Sequence, residues 1–151
     1  MSENEFLYTE KDDKFHDECG VVGVYLNADA SKAETSDESQ MNAATMCYYG
    51  LYSLQHRGQD SAGICVSDGN DVKIHKQMGL VSDVFKVEHL QELQGNLSIG
   101  HVRYATSGSK TIENAQPMLS QSKLGPIAVA HNGQLVNYVQ LREMFEETGA
   151  D

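Results

Sequence analysis

HDECGVVGVY (His16–Tyr25) is the stretch from which the rest of the chain can be organised. Polar and acidic residues run directly into a cysteine, a glycine and a β-branched apolar series. VVGVYL, Val21–Leu26, is short, β-branched and bounded by polar residues, which predicts a buried strand. A lone cysteine at the head of such a run is, by base rate, a small buried hydrophobe. The sharper alternative is that Cys19 is the first residue of the working protein and that what precedes it is removed. The leader holds seven acids (Glu3, Glu5, Glu10, Asp12, Asp13, Asp17, Glu18) against two bases (Lys11, Lys14), the composition of a solvated terminus.

Downstream, Asn27–Gln40 lacks apolar periodicity and reads as a surface loop. MNAATMCYYGLYSLQ places Ala43, Met46, Cys47, Leu51 and Leu54 at helical spacing, predicting a helix that ends near His56. SAGICVS and VKIHKQ flank the turn-rich Asp68-Gly69-Asn70-Asp71 and predict a hairpin. VEHLQEL is a short helix, NLSIGHVRYAT a strand and TSGSKTIENAQ a loop. PMLSQS and PIAVAH are two further strands joined by Lys123-Leu124-Gly125. Asn137 is placed to cap a last helix, with Gln140 three residues on, and Gly149 to end it. Strands in pairs with helices between them predict an α+β fold. The chain stops just past that helix with no closing strand, as expected of a domain cut short.

The 151 residues suffice for one ordinary domain, and 40% hydrophobic with 22% charged residues is a globular composition rather than a disordered one. A formal charge of -11 argues against a nucleic-acid surface, which needs basic residues to neutralise phosphates. No apolar run approaches a membrane span, and residues 1–18 lack the apolar stretch of a signal peptide. Three cysteines without paired spacing suit a reducing compartment, so cytoplasm is the expected location.

Three stretches at strand ends or turns have a chemical reading beside the plain one. Cys19-Gly20 is the first. In HVRYAT, Arg103 is either an edge-strand surface residue or a planar fork for a ligand carboxylate, a geometry lysine cannot match. In His131-Asn132-Gly133, an Asn-Gly pair is ordinarily a tight turn. Yet an amide and a glycine N–H side by side can also form a two-donor oxyanion hole. Taken singly, the plain reading is favoured each time. His56, His101 and His131 read as structural, and no histidine pair is spaced for a metal, so no metal site is expected. Cys47 and Cys65 read as inert core thiols.

Together the pieces ECGVVGVY, YYGLYSLQHRGQDSAGI, IGHVRYATSG, NAQPML and AVAHNGQLVN occur in an order that resembles the class II glutamine amidotransferases, whose glutaminase domain uses an N-terminal nucleophile. Within that family they are most similar to the amidophosphoribosyltransferase branch of purine synthesis. The resemblance runs from about Glu18 to the end. It implies an αββα four-layer sandwich of the N-terminal-nucleophile hydrolase type, incomplete at the C-terminus. Residues 1–18 would be a propeptide or leader and 19–151 a partial glutaminase domain. Cys19 would attack the glutamine amide, with its own freed α-amine as base. Arg103 would bind the substrate α-carboxylate with Thr106 beside it, and Asn132 and Gly133 would hold the oxyanion. Arg57 would support the nucleophile end, though a structural ion pair explains it equally well. Ammonia would pass to phosphoribosyl diphosphate in a C-terminal glycosyltransferase domain outside this chain. That domain would supply a magnesium site and, in some members, an iron–sulfur cluster, and the full-length enzyme would be a homo-oligomer. The competing expectation is a catalytically silent fragment or regulatory paralogue acting as a binding module.

Overall fold

The computed structural model describes residues 19–27, 42–104, 111–133 and 135–149. β1 (Gly20–Tyr25) leads to α1 (Ala43–Ser53), a 3-10 turn over Gln55–Arg57, and the hairpin β2 (Ser61–Ser67) and β3 (Val72–Met78). Two short helices, α2 (Val81–Val84) and α3 (Val87–Glu92), precede β4 (Leu97–Arg103). A second 3-10 turn at Ile112–Asn114, the hairpin β5 (Met118–Ser122) and β6 (Gly125–Val129), and α4 (Tyr138–Glu147) complete the described chain.

β1 to β4 form one antiparallel sheet in the order β1-β4-β2-β3, and β5 with β6 form a second, two-stranded sheet. Partners across a sheet share a face, and successive residues alternate. Gly20, Val22, Ala62, Ile64, Gly100 and Val102 therefore face one way, and there α1 lays down Ala44, Cys47 and Leu51. The approach is close because Gly100 has no side chain: a Cβ there would lie 2.5 Å from Cys47 Sγ. The opposite face carries Ser61, Gly63, Lys76, His101 and Arg103. Extending the β1–β4 register by one residue sets Cys19 opposite Arg103.

The α+β class stands, with α1 packed on one face of the four-stranded sheet. Several local expectations are corrected. The first helix stops at Ser53, and the segment up to Arg57 tightens into a 3-10 turn instead of continuing. Met46 lies off the buried face of α1. The β5–β6 turn is the pair Lys123-Leu124, and Gly125 (φ +110) already opens β6. Asn137 precedes α4, but at φ -110, ψ 28 its side chain makes no capping bond, so the expected box with Gln140 does not form. Gly149 does end that helix in the left-handed region (φ +75). Most of the expected loop at Asn27–Gln40, and Thr106, lie outside the described residues.

Candidate active site

Cys19 sits at the head of edge strand β1, half-buried, with φ +44; no other described residue except glycine has positive φ. The other two thiols are buried: desolvation pushes Cys47 up to about 11 and raises Cys65 above its ordinary value. Of the three thiols, Cys19 is the one that a substrate can reach. The backbone N–H of Tyr104, just past β4, points at Cys19 Sγ from 3.4 Å, and the Tyr104 carbonyl lies 3.6 Å from the same sulfur.

Two side chains meet the Cys19 carbonyl. Arg57 Nε donates to it at 2.9 Å, from the 3-10 turn after α1, and Asn132 Nδ2 donates at 3.4 Å. The Arg57 turn is itself pinned. Gln55 Nε2 donates to the Gly58 carbonyl, and Gln55 Oε1 accepts from the Val81 N–H at 2.6 Å. A primary amide carries two N–H donors, so Asn132 can hold Cys19 with one and offer the other to a substrate. Gly133 takes φ +129, a conformation that glycine adopts without steric cost.

Arg103 is not an edge-strand surface residue. β4 is central, flanked by β1 and β2, and Arg103 is only 8% exposed. A guanidinium in that position is costly without anionic or polar partners. Two positions back on the same face, His101 is fully buried. Its Nε2 lies 3.2 Å from the His131 carbonyl, while Nδ1 is buried with no hydrogen-bond partner among the described residues. Burial brings its pKa down from 6.5 to about 4, opposed by the His131 carbonyl, so the ring is neutral. Because Nε2 faces an acceptor, the proton resides there.

Cys19, Arg57, Asn132 and the end of β4 thus converge from elements up to 113 residues apart. Over residues 45–150 the chain matches the family model for class-II glutamine amidotransferases. The chain belongs to that family. Among amidotransferases of this family, it is 50% identical over 133 residues to an amidophosphoribosyltransferase of Methanothermobacter thermautotrophicus, covering 88% of this chain and 26% of that protein. It is 45% identical over 141 residues to the chloroplastic amidophosphoribosyltransferase 3 of Arabidopsis thaliana, covering 93% and 24%. Solved structures are similar too, among them these two. One is the glutamine phosphoribosylpyrophosphate amidotransferase of B. subtilis complexed with ADP and GMP, at 41% identity and TM-score 0.69, over 87% of this chain and 25% of that one. The other, an allosteric regulatory enzyme of purine biosynthesis, gives 42% and 0.71, over 87% and 26%. The N-terminal-nucleophile hydrolase fold follows from these likenesses. The chain spans about a quarter of the length of the relatives it matches.

Two polar side chains near the site carry no local signal of their burial: nothing in the sequence around Gln116 marks it as only 9% exposed. Ser61, in β2 opposite Arg103, keeps a buried hydroxyl with no hydrogen-bond partner among the described residues. A polar residue in a mixed strand pattern carries no signal of burial until the strand order is known.

Proposed function

We propose that this chain carries the glutaminase site of an amidophosphoribosyltransferase. The observation that carries the reading is the accessible Cys19 at a strand head, with the Tyr104 N–H on its sulfur and Arg57 and Asn132 on its carbonyl. The sulfur attacks the side-chain amide carbon of glutamine. The carbonyl π electrons move to oxygen, and the resulting oxyanion is met by the second N–H of Asn132 and the N–H of Gly133. The C–N bond then breaks, and ammonia leaves with the proton the base took from the thiol. Water adds to the thioester, expelling the sulfur and releasing glutamate.

The base is the α-amine of Cys19, whose ordinary pKa of about 7.7–8.0 suits proton transfer near neutrality. While bonded to Glu18 that nitrogen is an amide and no base, so cleavage of Glu18–Cys19 precedes activity. Arg103 receives the substrate α-carboxylate as a two-pronged fork. Ammonia passes to phosphoribosyl diphosphate in a part of the protein outside this chain, giving phosphoribosylamine. Among the described residues no three His, Cys, Asp or Glu side chains gather as a metal-holding group.

The test uses full-length protein. A glutamine analogue bearing an electrophilic diazoketone should add covalently to an N-terminal Cys19 peptide, found by mass spectrometry. Cys19→Ala should abolish glutamate release while ammonia-dependent transfer persists. Glutamine turnover by protein that still carries Met1–Glu18, or by Cys19→Ala, would overturn the mechanism.

A further inference from the structure

His131 contributes no side chain to the site described above, yet both of its backbone polar groups are held by buried side chains. Its N–H donates to Gln116 Oε1 at 2.7 Å, and its carbonyl accepts from His101 Nε2 at 3.2 Å. His101 is fully buried and Gln116 only 9% exposed. We infer that His101 and Gln116 are positioning residues that set the oxyanion donors of Asn132 and Gly133 by gripping His131 from both sides. The inference rests on the glutaminase reading.

The grip is anchored to the sheet. His101 stands on β4, the central strand. Gln116 lies over β2 at Gly63, where a Cβ would come within 2.2 Å of the Gln116 carbonyl oxygen. Lys76 Nζ, on β3, donates to the carbonyls of Ala115 and Pro117, one on each side of Gln116. Lys76 is partly desolvated there, which lowers its pKa from 10.5. Three strands therefore hold the residue that precedes the oxyanion turn. The His131 carbonyl can only accept, so His101 Nε2 carries the proton and donates. Such donors must stay fixed to about half an ångström to favour the tetrahedral intermediate, and supporting hydrogen bonds are what fixes them. A loosened His131 would misplace donors that matter in the transition state more than in substrate binding.

The experiment compares paired variants in full-length protein beginning at Cys19, with the urea midpoint measured alongside. His101→Leu removes the donor, and His101→Gln returns an N–H near the Nε2 position. Gln116→Met removes the acceptor, and Gln116→Glu returns an oxygen. His101→Leu and Gln116→Met should lower kcat for glutamine hydrolysis roughly tenfold to a hundredfold, short of losing an oxyanion donor outright, with KM for glutamine little changed. The donor- or acceptor-retaining partner should recover most of that loss. Unchanged kcat in both loss variants, a change confined to KM, or equal losses in each pair would overturn the inference. In those outcomes the wild type still hydrolyses glutamine. A wild type that does not would instead remove the glutaminase reading on which the inference stands.

Discussion

A single side chain can serve binding or chemistry, and kinetics separate the two. Arg103 is nearly buried on the central strand, where a fork of fixed geometry can meet a carboxylate through two parallel bonds. Arg103→Lys keeps the charge but loses the fork, so KM for glutamine should rise about tenfold or more, with a smaller change in kcat. Asn132 holds the Cys19 carbonyl with one N–H and has the other to offer. Its value is greatest when the oxyanion forms, so Asn132→Ala should lower kcat by roughly a hundredfold to a thousandfold. Steady-state glutamate release checks both. A larger effect on kcat for Arg103→Lys than for Asn132→Ala would reverse the assignments.

At the scale of elements, close packing is made possible by residues with nothing to pack. Gly63 lets the segment around Gln116 rest directly on β2, with its notional Cβ also 2.8 Å from Lys76 Cβ. Since the nearest atom is backbone, it cannot rotate away. Gly63→Ala should cost at least about 1–3 kcal/mol of stability, the range for overpacked cores. α1 offers a milder contrast: Asn42 Oδ1 accepts from the Thr45 N–H at 2.8 Å, and Asn42→Ala should cost about 1 kcal/mol by loss of that cap. Urea unfolding ranks the two. Equal, small losses would show that the Gln116 segment does not lie against the strand.

The whole molecule reports the buried histidine through its acid stability. The imidazole of His101 takes up a proton at an ordinary value of 6.5 when unfolded and only at about 4 when folded. Between those values the unfolded chain binds more protons, so stability rises with pH there. The contribution is complete above pH 6.5 and is lost as the pH falls from 6.5 toward 4, by at most about 3 kcal/mol. His131 and Arg103 act in the same direction, since both disfavour a second positive charge nearby. Replacing the ring by glutamine should flatten that limb of the urea-midpoint profile between pH 6.5 and 4. A limb of unchanged steepness would mean the ring is not buried as the neutral form. Outside this core, Leu124, Ile127, Val129, Val136 and Phe145, from the β5–β6 hairpin onward, remain exposed.

Local pattern determined much of this protein. The alternation and turn chemistry of SAGICVS and VKIHKQ specify the β2–β3 hairpin, because strand period and turn residues act over a few neighbours. The order of short motifs specifies the family, whereas Cys19 at the mouth of an apolar run, taken alone, reads as an ordinary buried thiol. Local pattern did not place the end of α1, where a helical spacing continues past Ser53 but the backbone tightens to bring Arg57 onto Cys19. Nor did it decide between a surface and a buried Arg103. That depends on β4 lying between β1 and β2, a strand order set by which apolar faces bury one another across long separations. The grip on His131 belongs to the same class. A histidine thirty residues away and a glutamine fifteen away look ordinary in sequence. Only the folded sheet removes water from them, and without water their hydrogen bonds must be made to particular partners.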